Sequence, residues 1–288
     1  MRYLEIKEAL PSEQYVSDIK EVYRAIARIK QKKCYTNFFI SAEELQQWAN
    51  EKSLSIIQSQ SSVMIFRKRS GFSVIYFFTS DTTDICMLMK TLLDNQSRRY
   101  VIGIVYKKEY PYDIVQVFCS NGFKKETVYE RMTLSDICFA KYVQKTCLQK
   151  AVAEDIDEIY DIFYSNFNEY TDQLPTKKEI LKAINSGKHD IIIAKHEEKN
   201  CIVNVFWFEN KGKTIHWRYW VIRPEFRGKG LGRKLLQQVL GKYAHASRII
   251  LWVRDNNPQA KAFYEELGFV SDGLYDCIPV SYTHLRAH

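Results

Sequence analysis

Glycine and positive charge are combined between Arg223 and Leu236, in the stretch RPEFRGKGLGRKLL. Gly228, Gly230 and Gly232 alternate with other residues there, and an apolar run with helical spacing follows. The N-terminus of a helix presents unpaired backbone N–H groups and a partial positive charge. A glycine-rich loop before it lets an anion approach the backbone closely. The stretch therefore predicts a binding site for a diphosphate group.

Two common phosphate-binding loops do not fit this spacing. A Walker loop requires Gly-Lys followed by Ser or Thr, whereas Gly228-Lys229 is followed by Gly230. A Rossmann fingerprint requires a glycine at its sixth position and an acidic residue about 20 residues further on. Counted from Gly228, the sixth position is Arg233, and the segment near Ser247 has no acidic residue. A different class of anion site is indicated.

A second motif, NNPQAKAFYEELGF, follows the glycine stretch after a helical and a β-rich segment. In it Asn257, Ala260 and Tyr264 have the spacing N-x-x-A-x-x-x-Y. Together with R-G-x-G-x-G after a strand and a proline, this pattern resembles the acyl-CoA-binding motif of the GNAT superfamily of N-acetyltransferases. The resemblance covers roughly Lys150 to Val280. It implies an α/β fold with a mixed, mostly antiparallel twisted sheet flanked by helices.

The resemblance implies that acetyl-CoA is the co-substrate. Its pyrophosphate would contact the glycine loop, and its pantetheine arm would lie along the end of the preceding strand, which in the family splays from its neighbour. The residues implied at this cofactor site are Trp220, Val221, Ile222, Arg227, Gly228, Lys229, Gly230, Leu231, Gly232, Arg233 and Asn257. The amide of Ile222 would donate to the thioester oxygen. Asn257 is either a helix cap alone or also a cofactor contact. No metal is implied.

Catalysis requires a neutral amine, because an alkylammonium group has no lone pair and a lysine-like amine titrates near about 10.4. The resemblance makes Tyr264 the acid that protonates the departing thiolate; the alternative is a tyrosine that only packs on the last helix. Branches of the family that use a glutamate base have it at positions that are Trp252 and Tyr219 here. A branch that acetylates ribosomal-protein N-termini is therefore not expected.

The general base is left among several candidates. Tyr219 and His216 lie on one predicted strand, and strict alternation would put them on opposite faces. A water chain to Glu209 or Asp255 is a further alternative. Aromatic residues of the two central strands form either ordinary sheet core or an acceptor pocket. They are Trp207, Trp217, Tyr219 and Trp220.

The two halves of the chain share a pattern. When Gly122-Phe123 is aligned with Gly268-Phe269, Tyr129 falls opposite Tyr275 and Glu130 opposite Asp276. In each half the order is strand, helix, Gly-Phe and strand, which predicts a duplicated domain. We expect a degenerate GNAT-like domain over residues 1–140 and an active GNAT domain over 147–280, with the boundary near residues 136–149.

The first half has TSDTTDI where the second has its glycine loop, so we expect it to bind no CoA. Residues 281–288, SYTHLRAH, follow no repeat and are expected to be a non-native tail.

Composition limits the remaining function classes. The chain has 288 residues, 46% of them hydrophobic, and a net charge of +8. None of its seven cysteines forms a C-x-x-C pair, which favours reduced thiols and a cytoplasmic location. We expect no membrane partner, because no apolar stretch is long enough to span a bilayer.

We predict an acetyl-CoA-dependent N-acetyltransferase whose acceptor is a small-molecule or peptide amine. No nucleic-acid partner is expected. The alternatives are a CoA-binding sensor or scaffold without turnover, and a basic RNA-associated protein.

Overall fold

The chain folds into two compact units, described below from a computed structural model. Unit 1 comprises Met1–Val128 with Tyr275–His288, and unit 2 comprises Tyr129–Leu274. The structure describes residues 12–29, 34–94, 98–135, 148–196, 198–228 and 230–281. Each unit is an α/β arrangement of a β-sheet flanked by helices, as the sequence predicts. The expected boundary segment up to residue 147, and residues 282–288 of the expected tail, lie outside the described residues.

The elements follow one another in a similar order in the two halves. The helices of the first half are α1 (Lys20–Arg28), α2 (Ala42–Asn50), α3 (Thr82–Asp94) and α4 (Tyr112–Cys119). Its strands are β1 (Gln14–Tyr15), β2 (Tyr35–Thr36), β3 (Leu54–Gln58), β4 (Ser62–Lys68), β5 (Phe72–Thr79), β6 (Arg99–Ile102), β7 (Ile104–Lys107) and β8 (Phe123–Ser135). The helices of the second half are α5 (Ile156–Asn166), α6 (Lys177–Ile184), α7 (Leu231–Gly241) and α8 (Pro258–Glu266). Its strands are β9 (Leu148–Lys150), β10 (His189–Lys195), β11 (Ile202–Lys211), β12 (Thr214–Ile222), β13 (Arg248–Arg254) and β14 (Val270–Ser281).

Helix starts are set by local chemistry that the sequence already reveals. The Glu44 N–H donates to Ser41 Oγ, and the Ser41 N–H donates to Glu44 Oε2, both at 3.2 Å. Thr176 and Glu179 form the same reciprocal pair before α6. Such a capping box satisfies two backbone donors that a helix leaves unpaired. In both cases a Ser or Thr followed three residues later by Glu identifies the cap in the sequence.

In unit 1 the sheet has the order β1-β3-β4-β5-β6, with the C-terminal part of β14 next to β6. Ser281, the first residue of the expected tail, ends β14, and its Oγ accepts a hydrogen bond from the Tyr100 N–H at 2.7 Å. Helices α3 and α4 pack on one face of this sheet, and α1 and α2 contribute to the core on the other. The segment RYVIGIVYK is two strands, interrupted at Gly103.

In unit 2 the sheet has the order β9-β10-β11-β12-β13, followed by the C-terminal part of β8. One face is covered by α7 and α8, and the other by α5 and α6. Strands β12 and β13 run parallel from the pair Thr214/Arg248 to the pair Trp217/Leu251 and then separate. The splay that the resemblance implies at this point is therefore present.

A β-bulge in β12 corrects one prediction. Tyr219 pairs with Trp207 and Trp217 pairs with Phe208, so Arg218 is an extra residue without a counterpart on β11. A bulge of one residue reverses the alternation of faces. His216, which pairs with Glu209, therefore shares the face of Tyr219, and the prediction of opposite faces is wrong.

No helix in the described ranges is long and apolar enough to cross a membrane.

Candidate functional site

The loop before α7 has a backbone that requires glycine. Gly228 has a φ of +76° and Gly230, the N-cap of α7, has a φ of +71°. These left-handed conformations cost L-residues with a side chain roughly 1–2 kcal/mol. They turn the chain so that the first-turn amides of α7, which have no carbonyl partner within the helix, point out of its N-terminus. Lys229, between the two glycines, lies outside the described residues.

Gly232 is needed for a different reason, which is close packing. A Cβ atom built on it would lie 2.7 Å from Ile222 Cδ1 and 3.2 Å from Trp220 Cζ2. Contacts between carbon atoms are optimal at about 3.5–4.0 Å. The missing side chain therefore lets the first turn of α7 approach the end of β12.

A cleft of about 370 Å³ opens at this junction of strand, loop and helix. Glycine backbone and aromatic rings account for much of its lining. The lining residues are Trp220, Ile222, Phe226, Arg227, Gly228, Gly230, Leu231, Gly232, Arg233 and Phe263. Nearly all the described residues that the sequence assigned to the cofactor thus meet in one place. Exceptions are Val221, which is buried in the core under α5, and Asn257.

The two arginines of the loop are engaged with protein groups. Arg227 Nε donates to the carbonyl oxygen of Ile222 at 2.8 Å, and its Nη2 donates to Asn166 Oδ1 at 2.7 Å. Arg233 forms an ion pair with Glu266 and lies over the ring of Phe263, 5.4 Å from its centroid. Both side chains support the walls of the cleft, so among the described residues of the loop the backbone N–H groups remain available as anion donors.

Tyr264 projects from α8 into an aromatic cluster. Its ring centroid lies 5.5 Å from that of Trp217 and 5.8 Å from that of Phe269. Burial raises the pKa of Tyr264 well above its usual value, which keeps the hydroxyl protonated at neutral pH. Asn257 begins the same helix, since its Oδ1 accepts the Ala260 N–H at 3.1 Å. The cap role of Asn257 is therefore present in the structure.

Two candidates for the base have constrained surroundings. Tyr219 is buried, and its hydroxyl lies 3.1 Å from the carbonyl oxygens of Asp172 and Gln173, to which it donates. Burial, and then the nearby Lys211, lower the pKa of His216 to about 4. His216 is therefore neutral and a weak base at pH 7.

The other two candidates, Glu209 and Asp255, lie in different environments. Glu209 has Lys211 and Arg218 as ion-pair partners; burial opposes its charge, but these cations outweigh burial and lower the pKa of Glu209. Asp255 is exposed at the end of β13. Trp252, at one of the family's glutamate positions, is 38% exposed.

The aromatic residues of the central strands divide between the two faces of the sheet. Trp207 and Tyr219 belong to the core under α5 and α6, whereas Trp217 and Trp220 pack under α7 and α8. Trp220 Nε1 donates to Asn204 Oδ1 at 2.8 Å, and its ring stacks on that of Phe206. Most of this set is sheet core, and Trp220 alone lines the cleft.

A polar network beside the splay was missed from the sequence. The Tyr129 hydroxyl donates to Asp172 Oδ1 at 2.5 Å, and Arg254 forms an ion pair with the same carboxylate. Arg254 Nη2 also donates to Thr171 Oγ1 at 3.1 Å. Burial opposes the charge of Arg254, but Tyr129 and Asp172 outweigh it and raise the pKa of Arg254. The network fixes the loop between α5 and α6 to the end of β13.

Comparison with known proteins agrees with this geometry. Residues 154–269 match the model of the Acetyltransferase (GNAT) family. The chain is 27% identical over 128 residues to the 5-NmdU N-acetyltransferase of Pseudomonas phage PaMx11, covering 44% of this chain and 88% of the relative.

Solved structures extend the likeness to both units. A GCN5-related N-acetyltransferase from Sphaerobacter thermophilus superposes with a TM-score of 0.61 at 13% identity, covering 94% of this chain and 95% of that one. A tandem GNAT protein from the clavulanic acid biosynthesis pathway superposes with a TM-score of 0.56 at 10% identity, covering 79% and 82%. Identities this low indicate a shared fold and nothing finer.

Proposed function

We propose that this chain, whose residues 154–269 match the model of the GNAT acetyltransferase family, transfers an acetyl group from acetyl-CoA to a primary amine. The observation that carries the proposal is the glycine-lined N-terminus of α7 beside the splayed end of β12. Backbone donors at a helix N-terminus suit the pyrophosphate. The separated strand edge suits the extended pantetheine arm, whose amides can pair with it as a strand would.

Acetyl-CoA supplies an activated acyl carbon as its thioester. The amine nitrogen attacks this carbon, a C–N bond forms, the C–S bond breaks, and the amine loses one proton while the thiolate gains one. We assign protonation of the thiolate to the Tyr264 hydroxyl, which burial keeps protonated. The Ile222 amide is the proposed donor to the developing oxyanion.

Solvent is the proposed acceptor of the amine proton. The Tyr219 hydroxyl already donates to backbone carbonyls, and a pKa of about 4 makes His216 too weak a base for an ammonium group. The rate at saturating acetyl-CoA is then expected to rise with pH as the free amine deprotonates. Replacement of His216 is expected to leave this rise unchanged.

The acceptor is proposed to be a small-molecule or peptide amine. The phage relative is named for 5-NmdU, which makes this compound one rational member of a test panel. A polyamine, a lysine-containing peptide and an α-amino acid would cover other amine classes.

Two measurements on the full chain test the proposal. Isothermal titration with acetyl-CoA is expected to give one site, and thiol release from acetyl-CoA is expected with at least one amine of the panel. Binding without turnover by any amine would favour the alternative of a CoA-binding sensor or scaffold. A gel shift with RNA at physiological salt addresses the remaining alternative, and we expect none.

We further propose that the domain of residues 147–280 is the working one and that residues 1–140 form a degenerate copy without a CoA loop. A cytoplasmic location belongs to the same proposal, supported by the cysteine pattern of the sequence.

A further inference from the structure

Both halves of the chain contain a Tyr-Thr-(Asn/Asp) triplet at the same distance before a helix cap. In the first half, Tyr35-Thr36-Asn37 ends four residues before Ser41, the N-cap of α2. In the second half, Tyr170-Thr171-Asp172 ends four residues before Thr176, the N-cap of α6. The triplets therefore occupy matching places between the first two helices of each unit.

The strands beside the two triplets also match. In unit 1, β5 and β6 run parallel from Phe72/Arg99 to Ile75/Ile102 and then separate. This is the same four-pair ladder that joins β12 and β13 in unit 2. Each unit therefore has a splay at an equivalent point of its sheet, with a triplet beside it.

In unit 1 the chain itself fills the splay. Asn37 Nδ2 donates to the carbonyl oxygens of Ile75 at 3.1 Å and Gly103 at 2.7 Å. Ile75 is the last paired residue of β5, and Gly103 directly follows β6. Asn37 Oδ1 accepts the Phe77 N–H at 2.7 Å. A buried carboxamide thus donates to and accepts from the strand edge, as the amide of an extended ligand would.

Neighbouring residues complete this closure. Strand β2 pairs with β5 at Thr36/Phe78 and Tyr35/Thr79, directly beyond the point where β6 leaves. Thr36 Oγ1 donates to the Phe77 carbonyl oxygen at 2.7 Å. The carboxyl of Asp276 lies against Gly103, so that a Cβ on this glycine would be 3.0 Å from Asp276 Oδ1. The backbone groups of this edge are consequently used within the chain.

In unit 2 the matching triplet is attached through side chains. Asp172 contacts Arg254 and Tyr129, and its carbonyl oxygen accepts from the Tyr219 hydroxyl. Beyond Trp217, no strand in the described part of the chain pairs with the β13-facing edge of β12. Arg254 has no equivalent in unit 1, because Val105 occupies the matching place three residues after the last ladder pair.

We infer that the triplet is a duplicated gate, that is, a segment that decides whether the splay beside it is open. In unit 1, Asn37 closes the splay as an internal substitute for a ligand. In unit 2, the Asp172–Arg254 pair holds the triplet away from β12 and keeps the edge of β12 accessible to an extended amide-bearing ligand. Asp172 and Arg254 are positioning residues in this arrangement. The inference rests on the proposed function, since acetyl-CoA is that ligand.

The test exchanges the gate chemistry of the two units. The double variant Asp172→Asn with Arg254→Val gives unit 2 the residues of unit 1, and Asp161→Asn, exposed on α5, is the matched control. We expect the double variant to bind acetyl-CoA at least about tenfold more weakly by titration, while the control binds as the wild type. The KM for acetyl-CoA is expected to rise with a smaller change in kcat. Wild-type affinity in the double variant would overturn the gate.

Hydrogen exchange of the ligand-free wild type provides an independent measurement. The Phe77 amide, which donates to Asn37, is expected to exchange slowly. At least one amide of Trp220–Ile222 is expected to exchange faster than the Phe77 amide by about tenfold or more. Equal protection of the two edges would overturn the gate even if the double variant fails to fold. Absence of acetyl-CoA binding by the wild type would instead refute the proposed function, so the two failures are distinguishable.

Discussion

Substitution of Gly232 by alanine tests whether the close approach of α7 to β12 builds the anion site. The new Cβ atom would lie 2.7 Å from Ile222 Cδ1 and 3.2 Å from Trp220 Cζ2. A normal carbon contact of about 3.5–4.0 Å requires a displacement of roughly 1 Å at the first of these atoms. The Ile222 methyl can turn aside, but the Trp220 ring is held by its hydrogen bond to Asn204. We therefore expect the first turn of the helix to move.

The magnitude follows from two opposing terms. Overpacking costs about 1–3 kcal/mol, and replacing a helical glycine by alanine returns up to about 1 kcal/mol. The free energy of unfolding is thus expected to fall by about 0–3 kcal/mol. If displacement of the amide donors costs about 1–2 kcal/mol of binding free energy, the Kd for acetyl-CoA rises about 5- to 30-fold, since 1.4 kcal/mol corresponds to a factor of ten.

Gly241 in the same helix provides the matched control. A Cβ atom there would meet no atom within 4 Å, so Gly241→Ala is expected to retain wild-type affinity and stability or to gain slightly in stability. Thermal melts and isothermal titration with acetyl-CoA measure both quantities. If Gly232→Ala binds acetyl-CoA as tightly as Gly241→Ala does, the close approach is not what builds the site.

Three further predictions concern single side chains. Tyr264→Phe is expected to lower kcat by about 10²- to 10⁴-fold with little change in acetyl-CoA affinity; an unchanged kcat would remove its role as the acid. Burial lowers the pKa of His216 from its ordinary value of 6.5 to about 4, so the contribution of His216 to stability is lost as the pH falls from 6.5 to 4. His216→Asn should reduce the fall of the melting temperature between pH 6.5 and pH 4. A variant whose melting temperature changes with pH in parallel with the wild type would contradict the lowered pKa of His216. Burial raises the pKa of Asp276 from 3.8 to about 7, so folding is disfavoured progressively as pH rises through that window. Asp276→Asn should raise the melting temperature at pH 8 more than at pH 4.5, and equal shifts would contradict it.

Local signals predicted most of the elements and the cofactor loop. The capping boxes, the alternation of β-rich segments and the glycine spacing are all encoded within a few residues. The loop and first turn of α7 illustrate this, because Gly228 and Gly230 are required by their positive φ angles and Gly232 by close packing.

Long-range partners could not be predicted in this way. Arg227 is braced by Asn166, which is 61 residues away in sequence, and Arg233 by Glu266, which is 33 residues away. The bulge at Arg218 was hidden because both faces of β12 bear large side chains, so a reversal of alternation leaves no trace in hydrophobicity. The shared triplet was detectable, but its two different contacts depend on tertiary structure.

The division into units illustrates the same limit. It falls between Val128 and Tyr129 and between Leu274 and Tyr275, within the continuous strands β8 and β14. An uninterrupted strand has no change of composition at such a point. The domain limits of 1–140 and 147–280 remain predictions from the sequence repeat.

The stoichiometry of acetyl-CoA binding tests the central claim most directly. Titration of the full chain with acetyl-CoA is expected to give one molecule per chain, bound at the N-terminus of α7, and Gly232→Ala is expected to weaken it. No binding would contradict the assignment of the cleft, and two molecules per chain would contradict the closure of unit 1.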